Sequence, residues 1–142
     1  MSLILGKDPN MKKPNKTFCR WLAGFFDGEG CVSSRTPKNN HYPTITTHIG
    51  QKKPAVLYHI KRIVGIGRVR KTNQGVYRFE VWGKENTTFF IKLILPFSLV
   101  KRKQLELALQ LFSLIGPPNT RVTKENKKKR IVLAKKIKAL KH

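Results

Sequence analysis

At 142 residues and 39% hydrophobic content, the chain has the length of one domain with a core of its own, and no run approaches the roughly 20 apolar residues of a membrane-spanning helix. The opening MSLILGKDPN is too polar for a secretory signal, while Cys19, Cys31 and four scattered histidines match no metal-ligand spacing; an intracellular, reducing setting is expected, with bacterial or archaeal cytoplasm and organelle both left open. Thirty Lys and Arg against seven Asp and Glu give a net charge of +23, a self-repelling balance that points to a polyanion as partner.

Residues 1–16 read as a basic leader broken by Pro9 and Pro14, ahead of a domain over 17–142. Thr17 is the expected cap of an apolar helix over 18–28, ended by Gly28 and Gly30. A strand over 31–36, a loop at 37–41 and a period-two strand over 42–50 follow. Pro54 opens a helix to Val64, with Leu57, Ile60 and Val64 on one face and Gly65 and Gly67 ending it. Strands over 67–72 and 76–82 flank Asn73-Gln74-Gly75 as a hairpin. Helices are expected over 84–95, stopped by Pro96, over 101–115, stopped by Gly116-Pro117-Pro118, and over about 123–140. The order predicts an α+β fold: one antiparallel sheet with helices on one face, and a basic C-terminal extension over about 119–142.

Charge is distributed unevenly. Gly30 to Phe79 holds ten Lys or Arg and no acid, in the window with the best strand candidates. Alternation places Ile45, Thr47, Ile49, Val69, Tyr77, Phe79 and Val81 inward. Outward stand Ser33, Arg35, Tyr42, Thr44, Thr46, His48, Arg68, Arg70, Thr72 and Arg78, with Lys38 in the adjoining loop. Such groups bond base edges or phosphates, so this face is the candidate DNA-binding surface; the plain alternative is a solvated sheet face. The tail 121–142 has ten bases and one acid. It reads either as a strap along DNA or as a solvated helix packing on Leu133, Ile137 and Leu140, and a basic membrane-surface helix is a third reading of it alone.

The stretch 22–30, LAGFFDGEG, puts Gly24 and Gly28 on one helical face with Ala23 alongside. Glycine costs about 1 kcal/mol in a helix interior, so two imply close approach of another backbone. With no second copy of the motif in the chain, the partner is a second chain, giving a homodimer contact of Trp21, Ala23, Gly24, Phe25 and Gly28. Asp27 and Glu29 stand where the helix dipole disfavours negative charge. They are either solvated turn acids or carboxylates for a hard cation beside phosphate. A calcium loop is excluded because Cys31 and Ser33 occupy the later ligand positions.

LAGFFDGEG resembles the signature of the LAGLIDADG homing endonucleases at each defining position, and the element order resembles their αββαββα core over about 17–115, with extra C-terminal helices. The resemblance implies a homodimer with a saddle-shaped sheet over double-stranded DNA, cutting both strands of a long pseudo-palindromic site into short 3′ overhangs. It implies that Glu29 and the Gly28 carbonyl bind Mg²⁺, with Mn²⁺ able to substitute, and gives Asp27 a lesser part. Gln51 would position water and Lys101, after Pro96-Phe97, would be the active-site lysine; Lys52 and Lys103 add contacts to DNA. Ala55 departs from the family's arginine, and Lys53 is the candidate replacement. No membrane and no other protein partner is implied. Two other readings stay open: an RNA maturase of the same family, which binds without cutting, and a small basic ribosomal-type protein, which predicts a monomer.

Overall fold

The computed structural model describes residues 13–36, 42–117 and 120–140. The first helix, α1 (Lys16–Glu29), begins one residue before Thr17, because Asn15 supplies the cap. The Asn15 Oδ1 accepts the Phe18 N–H at 2.8 Å, satisfying one of the unpaired donors of the first turn. Cys19, Leu22, Ala23 and Phe26 form its buried stripe. It ends at Gly30, which is extended and leads straight into β1 (Gly30–Arg35). A Cβ at Gly30 would overlap the Phe26 ring, so the tight exit needs glycine there.

β2 (Thr44–Gln51), β3 (Arg68–Lys71) and β4 (Tyr77–Trp82) complete one antiparallel sheet in the order β1-β2-β4-β3. The register places Val32 opposite Thr47, Thr47 opposite Val81, and Ile49 and Val69 opposite Phe79, so these residues share one face. That face is the core side, as the alternation predicts. The hairpin turns through the expected Asn73-Gln74-Gly75: Thr72 donates its N–H to Val76 O at 2.8 Å across it, and Gly75 adopts φ 79°.

α2 (Ala55–Val64) lays Leu57, Ile60 and Val64 on β3 and β4 and ends in a left-handed Gly65. α3 (Lys84–Ile94) buries Thr87, Phe90, Ile91 and Ile94, and a short 3₁₀ turn, Leu95–Phe97, carries the chain past Pro96. Phe26, Phe79 and Phe90 are fully buried with ring centroids 5.8 and 6.0 Å apart, a large apolar payload at about 1.5–3 kcal/mol per side chain.

α4 (Arg102–Ser113) and α5 (Lys124–Ala139) pack against each other, and α5 also crosses β1. The basic tail is therefore part of the folded body. Ile137 and Ala134 are buried, Leu133 and Leu140 half-buried, and Ser34 Oγ donates to the Ala134 carbonyl at 2.8 Å. Arg130, 7% exposed, donates to Asn126 Oδ1 at 2.6 Å and Leu114 O at 3.1 Å, which makes its burial affordable. Every helix thus covers one face of the sheet and leaves the other open. None of the helices is long and apolar enough to cross a membrane, among the described residues.

Candidate functional site

The two acids of LAGFFDGEG part company at the end of α1. Glu29 is exposed, and the Gln51 amide, at the end of β2, donates to its Oε1 at 2.8 Å. This contact joins two expected site residues 22 positions apart. A cleft of about 460 Å³ opens beside them, lined by Gly28, Glu29, Cys31, Lys101 and Lys103. The Lys101 ammonium donates to the Asp27 carbonyl at 2.6 Å, so four expected site residues gather at one helix end, with Gln51 attached by its hydrogen bond. Lys52 and Lys53 are exposed just beyond Gln51, and Ala55 is the first residue of α2.

Asp27 turns away from solvent. Its carboxylate accepts from Ser98 Oγ at 2.6 Å and from the N–H groups of Leu99, Val100 and Lys101 at 2.7, 3.0 and 3.2 Å. Burial pushes its pKa up, but these four donors outweigh that and hold it below the usual carboxylate value. The dipole conflict seen in the sequence is resolved in the same way. The charge sits badly at the C-terminal end of α1 but well at the N-terminal end of α4, whose own cap residue, Lys101, makes no side-chain cap.

The exposed side of α1 carries Trp21, Gly24 and Gly28. Trp21 is 43% exposed and stacks on the half-buried Phe25 at 5.2 Å. A Cβ at Gly24 or Gly28 would meet nothing within 4 Å, so this face is open for a neighbour. Ala23 is a correction: it is fully buried and belongs to the inward stripe with Leu22 and Phe26, because one residue of helix rotates the side chain about 100° from Gly24. Leu99 and Val100, 84% and 75% exposed, stand beside Asp27 and were not expected.

On the open sheet face, Ser33, Thr46, His48, Arg68 and Arg78 line one depression with Glu80 and Trp82. Arg35, Thr44 and Arg70 are exposed on the same strands. Glu80 is the residue the sequence did not single out. It accepts from Arg68 Nε at 3.2 Å and from Arg70 Nε and Nη2, both at 2.9 Å, with Arg78 Nη1 at 3.9 Å. Burial opposes its ionisation, yet the hydrogen bonds from Arg70 and Arg68 prevail and lower its pKa. The only advance signal was an acid inside a cationic strand. Arg68 also lies over the exposed Trp82 ring, 5.0 Å from its centroid.

Three expected surface residues fall elsewhere. Tyr42 precedes β2, since Pro43 interrupts the ladder, and its ring faces Lys127 and Arg130 of α5 at 5.9 and 5.8 Å. Thr72 lies just beyond β3, where it closes the hairpin turn, and its Oγ1 is enclosed. Lys38 lies outside the described residues.

Comparison with known proteins gives the same answer as the motif. The DNA endonuclease I-CvuI of Chlorella vulgaris is 32% identical over 108 residues, spanning 71% of this chain and 66% of that protein. The probable intron-encoded endonuclease Cox1-I1b of Schizosaccharomyces pombe is 34% identical over 99 residues, 63% of this chain and 25% of that protein. The chain therefore spans less than two thirds of the length of either curated relative. Among solved structures, I-CvuI in complex with the I-CreI target in the presence of Mg, its DNA not cleaved, superposes with a TM-score of 0.80 at 28% identity over 89% of this chain and 83% of that one. The archaeal intron-encoded homing endonuclease I-Vdi141I, complexed with DNA, shares the fold at a TM-score of 0.76 and 20% identity, covering 90% of this chain and 87% of that one. The sequence profile of the LAGLIDADG endonucleases matches residues 22–115, with LAGFFDGEG at its start, and the chain belongs to that family.

Proposed function

We propose that the protein is a site-specific DNA endonuclease that acts as a homodimer and cuts both strands of a long, pseudo-palindromic duplex. The observation that carries this reading is the Glu29–Gln51 contact at the mouth of a cleft shared with Lys101. The site adjoins a sheet face whose arginines outnumber its acid, which suits a phosphate backbone and base edges.

The donors at the end of α1 fit a hard divalent cation such as Mg²⁺: an exposed Glu29 carboxylate and the Gly28 carbonyl beside it. Among the described residues no group of three or more His, Cys, Asp and Glu gathers, so one chain supplies only part of an oxygen shell. A second copy meeting at Gly24 and Gly28, together with DNA phosphate, is the natural source of the rest. When bound, the metal would stabilise charge on the phosphate and activate water. The chain's own residues do the remainder: Gln51 orients the Glu29 carboxylate and nearby water, and the Lys101 ammonium favours the developing negative charge. Two such sites related by a dyad would cut both strands, and short 3′ overhangs are what the family resemblance implies for the products.

Selection from a randomised duplex library, with and without Mg²⁺ or Mn²⁺, tests the reading. Wild type should cut a defined site only with the metal, and Glu29→Gln should bind that site with unchanged affinity and leave it intact. A wild-type protein that binds duplex DNA but never cuts it overturns nuclease function in favour of a non-cleaving binder of intron nucleic acid.

A further inference from the structure

Lys101 reaches the cleft from a turn, 74 residues after Asp27 in sequence, and its long side chain would not hold a position there unaided. The turn is fixed by a single group. The Asp27 carboxylate gathers the Ser98 hydroxyl and three consecutive N–H groups, the last being that of Lys101 itself. The same residue's backbone oxygen then receives the Lys101 ammonium. Arg20 adds a second tie between α1 and this segment, lying over the Phe97 ring at 5.2 Å. Side chain and main chain of one residue therefore hold the two ends of the lysine.

We propose that Asp27 is a positioning residue, which sets the Lys101 ammonium against the end of α1 and beside Glu29. The proposal rests on the endonuclease reading for its consequence in catalysis, though not for the geometry. A helix cap alone would stabilise α4 and leave the ammonium indifferent to Asp27. The double tie predicts more: loss of the carboxylate frees the lysine even where the fold survives. Asparagine at position 27 retains one acceptor oxygen, but its NH₂ group faces N–H donors where the second oxygen stood, so the turn must loosen.

The test compares wild type, Asp27→Asn and Ser98→Ala by residue-resolved labelling with an amine-reactive reagent, read by mass spectrometry. Exposed Lys103 and Lys52 serve as internal references. Lys101 should be protected in wild type and label several-fold faster in Asp27→Asn, relative to those references. Ser98→Ala removes only one of the four donors and should give a smaller change. With a cleavable site in hand, Asp27→Asn should lower kcat by about 10-fold with DNA affinity unchanged, and should add nothing in a Lys101→Met background. Unchanged Lys101 labelling in Asp27→Asn, or additive effects of the two substitutions on kcat, would overturn the proposal. Should Asp27→Asn not fold, the labelling of Ser98→Ala decides alone. Absence of any cleavage by wild type would defeat the endonuclease reading, while the labelling would still decide the positioning.

Discussion

Replacing Gly24 by alanine separates the chain's own preferences from those of a pair of chains. Within one chain the glycine is a burden: it sits inside α1, and an added Cβ meets nothing within 4 Å. Helix propensity alone should therefore make Gly24→Ala more stable by about 0.5–1 kcal/mol. In a dimer paired through this face, the same methyl stands between two backbones, once from each copy. Overpacking of that kind costs about 1–3 kcal/mol, a roughly 5- to 150-fold rise in the dissociation constant. The two effects have opposite signs, which makes the substitution diagnostic. Denaturant melts at low concentration should move up, while sedimentation equilibrium should show weaker self-association. Gly30→Ala is the control, because its Cβ overlaps Phe26 within the same chain and should destabilise at every concentration. A Gly24→Ala protein that is more stable and associates as tightly as wild type would refute the helix-to-helix pairing.

Glu80→Gln should release Arg68, Arg70 and Arg78 toward phosphate, raising affinity for all duplexes, steepening the salt dependence and flattening base preference; salt titrations against selected and scrambled sites measure this. Because the folded Glu80 pKa lies below its ordinary 4.5, its contribution is complete above about that pH and is lost as pH falls through the lowered value; the acid-side decline in wild-type melting temperature should shrink in Glu80→Gln. Gly67→Ala should destabilise, since φ is +90° and the new Cβ would lie 2.7 Å from the Phe79 ring and 2.8 Å from the Glu80 carbonyl, a loss readable by thermal unfolding. Ile137→Ala should cost about 2–5 kcal/mol by chemical denaturation, because α5 is seated in the core; a change near zero would return the tail to the status of a detachable strap.

The strands were legible because a sheet with one covered face writes its burial in period two. Even Thr47, 1% exposed, follows the pattern despite its hydroxyl. What local pattern could not supply was any contact between distant segments. The partners of Asp27 lie 71 to 74 residues away, so its acid looked misplaced at a helix end until α4 was seen to begin there. Glu80 faces Arg68 across the hairpin and neighbours Arg70 only once the register is known. Asn15 and Thr17 are both capping types, and only the asparagine reaches the Phe18 N–H. The period-two alternation runs on to Tyr42 in the sequence, but Pro43 cannot donate to the ladder and β2 starts at Thr44.

Five of the seven acids in this chain of +23 can be compared by their surroundings. Asp27 is enclosed by four donors, and Glu80 by arginines. Glu85 and Glu125 occupy the first turns of α3 and α5, where the helix dipole favours them, and Glu125 also meets Lys129 at 3.5 Å. Glu29 is placed differently: at the C-terminal end of its helix, exposed, and held by the neutral amide of Gln51. An amide fixes a carboxylate without neutralising it. The negative charge therefore stays available in a cleft whose cationic groups, Lys101 and Lys103, attract phosphate. Being exposed, that carboxylate keeps its hydration at little cost, and it places a hard oxygen donor on a surface that otherwise attracts anions.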